Sequence, residues 1–189
     1  MIIKAYNEKH PFLLFVDLEF NNGVLIQFAG LLFQRIDEET YQLARSYNAY
    51  VTDTVSYPFM EYTSITNTFL TENGVPLKDL IIFLEDSFLK DVDLNNTLLI
   101  SHGLRNDRLV LENNGIFLLK DNGTAVDGYC TFNNAKRILK RNNKLTLADI
   151  AEECGYYLHQ AHNAYNDVWA EVSVFTYLRK IEEQNKGEE

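Results

Sequence analysis

Residues 12–20 read FLLFVDLEF, an apolar run that carries Asp17 and Glu19 near its end. A run this short and this apolar predicts a buried strand. Immediately after it, Asn21-Asn22-Gly23 supplies a turn and residues 24–33 a second strand, so the pair predicts a hairpin. A charged turn over residues 35–40 leads to a third strand over residues 41–51, which closes an antiparallel meander.

From Ser64 onward the period changes. Val75-Pro76 places a proline at a first helical position, and Leu77, Leu80, Ile81, Leu84 and Phe88 recur at helical spacing. TLLIS, residues 97–101, reads as a short buried strand, followed by a helix over residues 106–114 that Gly115 ends. A strand near residues 124–130 comes next. Helices follow over residues 132–141, 146–154 (with Gly155 as the stop) and 163–183. Strands as a meander, then strand and helix alternating, predict α/β architecture: a mixed sheet with helices on its faces. Residues 1–183 are expected to form that single domain, with a polar tail over residues 184–189.

At 189 residues, with 46% of them hydrophobic, the chain is long enough to bury a core without disulfide or metal staples. Its aromatic content argues against disorder. The longest mostly apolar stretch without a charge, residues 21–34, is far short of the roughly 18–20 apolar residues that a membrane helix needs. The amino terminus shows no secretory h-region, so the expectation is a soluble, cytoplasmic domain with no membrane partner. Cys130 and Cys154 have no metal-binding spacing and read as reduced thiols. The net charge of −10 disfavours broad nonspecific nucleic-acid binding, although Glu182, Glu183, Glu188 and Glu189 belong to the polar end of the chain.

Asp17 and Glu19 are two apart on a strand, so both side chains leave the same face. Unpaired carboxylates are costly in so apolar a strand, and neighbouring ones repel; a divalent cation is the simplest compensating charge. The alternative is a strand end where both reach water, and Asp37 with Glu39 repeats D-x-E in what reads as a solvated turn. Asp107 follows the TLLIS strand and falls at the start of a helix, where open α/β sheets place their sites. It could equally complement the helix dipole. His162 and Asp167 open the last helix, the histidine in the loop before it and the aspartate about one turn in. His102 and Asp107 share that spacing, so spacing alone does not identify a working histidine.

In this order (D-x-E on the first strand, Asp after a central strand, H-x4-D opening the last helix) the sequence resembles the DEDDh family of 3′-to-5′ exonucleases. That family is typified by the proofreading subunit of bacterial DNA polymerase III and by RNase T. The matching segments are FVDLEF, SHGLRNDRLVL and LTLADIAEECGYYLHQAHNAYNDVWAEVSVFTYL. SITNTFL, residues 64–70, is similar to the family's segment before its first long helix.

The resemblance implies an RNase H-like α/β/α sandwich with a five-stranded mixed sheet. It matches Asp17, Glu19, Asp107 and Asp167 to the four acidic metal positions and His162 to the general base. The implied reaction is hydrolysis of the terminal phosphodiester of DNA or RNA to nucleoside 5′-monophosphates, with two divalent cations, Mg²⁺ or Mn²⁺. Hard oxygen ligands suit those ions, and two of them stabilise both the attacking and the leaving oxygen. His102 is expected to organise the loop after its strand, and His10 and His159 to serve surface or packing. Leu18 and Phe20 would hold the 3′-terminal nucleotide, or belong to the core. The implied partner is single-stranded or 3′-recessed nucleic acid; a polymerase or a second copy of the chain is undecided.

Lys136, Arg137, Lys140, Arg141 and Lys144 form a basic cluster that reads as one helical face, either a phosphate-tracking stripe or an ordinary solvated face. Two departures from the family pattern stand out. Phe20-Asn21-Asn22-Gly23 replaces small residues and Thr-Gly after D-x-E. His102-Gly103-Leu104-Arg105-Asn106-Asp107 replaces the commoner H-N-A-x-F-D, an H-G version being known among RNA-trimming relatives. Two other classes stay open: a non-catalytic nucleic-acid-binding or polymerase-associated module on the same fold, and a hydrolase of dinucleotides or other small phosphoesters, which the acidic surface suits.

Overall fold

The computed structural model of the protein describes residues 1–6, 8–141 and 145–186; Lys144, Glu188 and Glu189 lie outside them. The predicted hairpin forms from β2 (Phe12–Asn21) and β3 (Val24–Arg35), paired antiparallel with Asp17 opposite Ala29 and Glu19 opposite Gln27. Asn22 and Gly23 take positive φ at the turn, as a tight hairpin requires. A register shift between Glu19 and Phe20 ends the regular ladder beside the carboxylates, the position where bulges commonly re-aim side chains.

β1 (Ile2–Lys4) and β4 (Thr40–Tyr50) complete the antiparallel half, and β5 (Thr97–Ser101) and β6 (Asp127–Cys130) add parallel strands, in the order β1-β4-β3-β2-β5-β6. The sheet therefore has six strands, one more than expected. The extra one, β1, is only three residues long, too short to show a period, and depends on the edge of β4 for its pairing.

Two short helices, α1 (Tyr57–Thr63) and α2 (Asn67–Asn73), occupy the segment where the sequence shows only a change of period. Each spans about two turns, too little for a helical pattern to emerge; α2 is marked instead by its N-cap, Thr66, which accepts the Phe69 amide. α3 (Leu77–Phe83) runs on as a π-turn over Leu84–Phe88. α4 (Leu104–Asn113) begins two residues earlier than predicted. β6 begins later, because Ala125 bridges to Leu119 instead. α5 (Thr131–Ile138) ends before Lys140, whose positive φ breaks the helix, so the basic residues do not form one continuous helical face. α6 (Leu147–Glu153) starts on a Thr146–Asp149 capping box, and α7 (Ala164–Lys186) closes the chain's described part.

The strand alternation divides the core in two. Leu13, Phe15, Ala29, Leu31, Phe33 and Ile100 face α5, α6 and α7, and Phe15 meets the rings of Phe33 and Phe175 edge-on at 5.5 Å each. Leu14, Val16, Leu18, Leu32 and Leu99 face α3 and α4 on the other side. This is the helix–sheet–helix layering that the pattern predicts. Among the described residues no helix is long and apolar enough to cross a membrane.

Candidate active site

The row of β2 that begins with Leu13 and Phe15 on the α7 face continues into Asp17 and Glu19. At the end of the neighbouring parallel strand, Ser101 is fully buried and its hydroxyl donates to Asp107 in the first turn of α4. The Gly103 amide donates back to Ser101 Oγ at 3.1 Å, so the turn between β5 and α4 is closed on itself and holds Asp107 inward.

The third contribution comes from the start of α7. Gln27, fully buried on β3 directly across from Glu19, accepts the Ala164 amide on its Oε1 at 3.2 Å and donates from Nε2 to Asn48 at 2.9 Å. It satisfies one of the free amides of the helix N-terminus. Asp167 accepts the His162 backbone N–H at 3.0 Å, and His162 takes the left-handed φ of 67°. A non-glycine residue held there stores about 1–3 kcal/mol of backbone strain. The His162 ring lies against Tyr62 of α1, centroids 3.7 Å apart.

Single ligand atoms of Glu19, His162 and Asp167 lie within 4.8 Å of one another. The charges that act on Asp17 are those of Asp167, Asp107 and Glu19. The four carboxyls that the sequence singles out, and the histidine, thus converge at one end of the sheet.

Burial, and then the neighbouring carboxylates, push Asp17 well above the ordinary range and Glu19 up to about 8. Burial raises Asp167 to about 6 against the His162 N–H, and raises Asp107 against the hydrogen bonds from Ser101 and Gly103. Burial holds the His162 imidazole below its usual value, so it is neutral at pH 7. Among the described residues no lysine or arginine forms an ion pair with these carboxyls. Asp167 Oδ1 is buried without a hydrogen-bond partner among the described residues. A cluster of hard oxygen donors with no cationic side chain and one orphaned oxygen fits a divalent cation.

The second D-x-E behaves in the opposite way. Asp37 is solvated, accepts from the Thr40 hydroxyl and the Glu39 amide, and is held below the usual carboxyl range by them.

A fifth carboxyl stands beside the site, and the sequence reading passed over it. Glu171 follows Asp167 by one turn of α7, is fully buried, and is pushed well above the ordinary range by burial and then by Asp17 and Asp107. Its signal was available: an i, i+4 partner of Asp167 in an otherwise apolar helical stripe. Gln27 was equally visible as an amide inside VLIQFAG.

Of the remaining candidates, Leu18 is buried in the α3–α4 core and Phe20 is 38% exposed at the rim. Arg137 pairs with Glu182 and Arg141 with Glu153, while Lys136 sits over the Phe132 ring at 4.4 Å. The His102 imidazole is hydrogen-bonded to Thr131 Oγ1 at 2.9 Å, and burial lowers it to about 4. His10 lies between Glu8 and Asp127, and His159 edges the Tyr157 ring.

No family model and no curated protein sequence matches the chain. Solved structures do. A 3′-exonuclease described in the recognition of a histone mRNA stem-loop superposes at a TM-score of 0.70 with 12% identity, over 92% of this chain and 84% of that one. Exonuclease X, in complex with 5′-overhanging duplex DNA, gives 0.62 at 16%, over 89% and 91%. Escherichia coli Exonuclease I with a dA16 oligonucleotide gives 0.69 at 15%; the match covers 89% of this chain but 41% of that longer one. The chain has their fold. It is an RNase H-like α/β/α sandwich, here with a six-stranded sheet.

Proposed function

We propose that the protein is a 3′-to-5′ exonuclease of the DEDDh kind, a single catalytic domain acting on the 3′ ends of short or single-stranded nucleic acid in the cytoplasm. The convergence of Asp17, Glu19, Asp107, Asp167 and His162 on one end of a sheet with this fold carries the reading. The four carboxylates would hold two divalent cations, Mg²⁺ or Mn²⁺, which when bound supply charge compensation to the attacking and leaving oxygens.

In that reaction water attacks the phosphorus of the last internucleotide linkage, and the bond to the 3′ oxygen of the preceding nucleotide breaks. That oxygen takes a proton from solvent to become the new 3′ hydroxyl, and a nucleoside 5′-monophosphate is released. The neutral His162 imidazole takes the proton from the attacking water, a contribution of about 10²–10⁴-fold. Its strained backbone and its contact with Tyr62 fix the ring toward the site. Phe20, exposed next to Glu19 in the chain, meets the terminal base, whereas Leu18 serves the core on the α3–α4 side. The basic residues Lys136, Arg137, Lys140 and Arg141 contribute to backbone contacts to the extent that Glu182 and Glu153 release the two arginines. A net charge of −10 favours grip on the terminal nucleotides over long duplexes. The His102-Gly103 version of the central motif inclines the reading toward RNA.

The test is cleavage of 5′-labelled single-stranded DNA and RNA of equal sequence with Mn²⁺ or Mg²⁺. The expected result is a metal-dependent ladder shrinking from the 3′ end, lost in Asp17→Asn and reduced about 10²–10⁴-fold in His162→Ala. Intact polymers, with folded protein and bound metal, would overturn it. Cleavage of dinucleotides alone would assign the site to a small-phosphoester hydrolase.

A further inference from the structure

The fifth carboxyl, Glu171, makes one hydrogen bond among the described residues: its Oε1 accepts the backbone N–H of His102 at 2.7 Å. Its Oε2 is buried without a partner among the described residues. The surrounding face of α7 is apolar, with Val168, Ala170, Val172, Val174 and Phe175 all buried, and the charged groups that reach Glu171 are Asp17, Asp107 and Asp167. A group so placed works against the stability of the fold, because a carboxyl is desolvated there and faces groups of its own sign. An apolar side chain of the same volume would pack better at that position.

What Glu171 gains is a tie between two separate parts of the site. His102 is the first residue after β5; Gly103 donates to Ser101, and Ser101 donates to Asp107. Asp167 stands one turn before Glu171 on the same rigid helix. The His102 ring is fastened in turn to Thr131 at the start of α5. The segment that delivers Asp107 is therefore anchored to the helix that delivers Asp167 through one side chain.

We propose that Glu171 is a positioning residue: by accepting the His102 amide it fixes the β5–α4 turn against α7 and so sets the placement of Asp107 relative to Asp167. The inference rests on the reading of these carboxyls as a divalent-metal site. A partner that orients a ligand from behind in this way typically accounts for about 10–100-fold in metal affinity or activity.

Glu171→Met fills the volume and removes the acceptor, whereas Glu171→Gln keeps an oxygen that can accept the same N–H. Three quantities are measured on each folded protein: Mn²⁺ affinity by electron paramagnetic resonance, kcat and KM on a labelled oligonucleotide, and Tm. For Glu171→Met the expectation is Mn²⁺ binding weakened about 10-fold or more and kcat lowered by a similar factor. KM should stay within about twofold, with Tm equal to or above wild type. Glu171→Gln is expected to restore affinity and kcat to within about threefold of wild type.

A part in stability alone would instead lower Tm and leave both constants of the folded fraction unchanged, and that result overturns the proposal. Should Glu171→Met fail to fold, hydrogen exchange of the wild-type His102 amide decides: slow exchange supports the tie, and exchange as fast as in an exposed loop overturns it. A wild type that binds Mn²⁺ without cutting polynucleotides removes the exonuclease reading, and the Mn²⁺ comparison still judges Glu171. A wild type that binds no Mn²⁺ overturns both.

Discussion

The Tyr62 ring lies against the His162 imidazole at a centroid separation of 3.7 Å and a tilt of 32°, although Tyr62 itself is 62% exposed. Tyr62 also walls a cavity of about 310 Å³ with Tyr50, Phe69 and Asn163, and its removal would take away the ring that packs on the histidine. Exposed positions seldom affect stability by more than about 0.5 kcal/mol. Tyr62→Ala is therefore expected to leave the denaturation midpoint nearly unchanged while lowering the single-turnover rate several-fold. Tyr62→Phe keeps the ring and should keep the rate. Equal rates for all three proteins would show that the contact does not orient His162.

Gln27 bears on the other side of the same loop. It is fully buried, caps α7 through the buried Ala164 amide and is held by Asn48, which is itself exposed. Gln27→Leu preserves volume but leaves the buried Ala164 N–H unsatisfied, a loss of about 1–3 kcal/mol, while water can replace the bond to the exposed Asn48. Urea denaturation should show destabilisation in that range, and activity should fall with it because Asp167 and His162 both hang on the start of α7. A loss of stability with unchanged activity would mean that the helix start is held by its packing alone.

Legibility from sequence followed the length and contrast of each signal. FLLFVDLEF and TLLIS are apolar runs bounded by polar turns, and both strands fall within a residue of the reading. The helices α1 and α2 are too short for a 3.6-residue period, and β1 has three residues and no alternation. The end of α5 depends on the left-handed φ of Lys140, which no residue type announces. Asp17, Glu19, Asp107 and Asp167 stand out in the sequence because they fall in a recognisable order, Asp107 and Asp167 in the first turns of α4 and α7. Gln27 and Glu171 sit mid-element, where a polar residue in an apolar stripe is the only mark, and that mark was left unread.

The two D-x-E copies allow a direct contrast. Asp17 is raised by burial and three like charges, and Asp37 is lowered by the Thr40 hydroxyl and the Glu39 amide. Asp17→Asn should relieve repulsion and raise the Tm of the metal-free protein at pH 7, while activity falls by more than about 100-fold, beyond the range seen for partners that only orient a ligand. Asp37→Asn should lower Tm slightly and leave activity alone. Calorimetry with a cleavage assay on both variants checks this, and a metal-free Asp17→Asn that is less stable than wild type would contradict it.

The same charges set a pH dependence whose sign is opposite to that of ordinary surface carboxylates. Glu19 moves from its usual 4.5 to about 8 on folding, and Asp167 from 3.8 to about 6, burial being the main cause for both. Between those values the folded state holds more protons than the unfolded one, so stability falls as pH rises through the interval and levels off above it. The metal-free protein should accordingly lose Tm between about pH 5 and pH 8. Divalent cations bind the ionised carboxyls in competition with protons, so Mn²⁺ should raise Tm more at pH 8 than at pH 6, with proton release measurable by calorimetry in buffers of different ionisation heat. Glu19→Gln removes the carboxyl that is raised to about 8 and should flatten the metal-free profile. A metal-free Tm that rises steadily across this interval would show that the carboxyls are ionised and compensated without any cation.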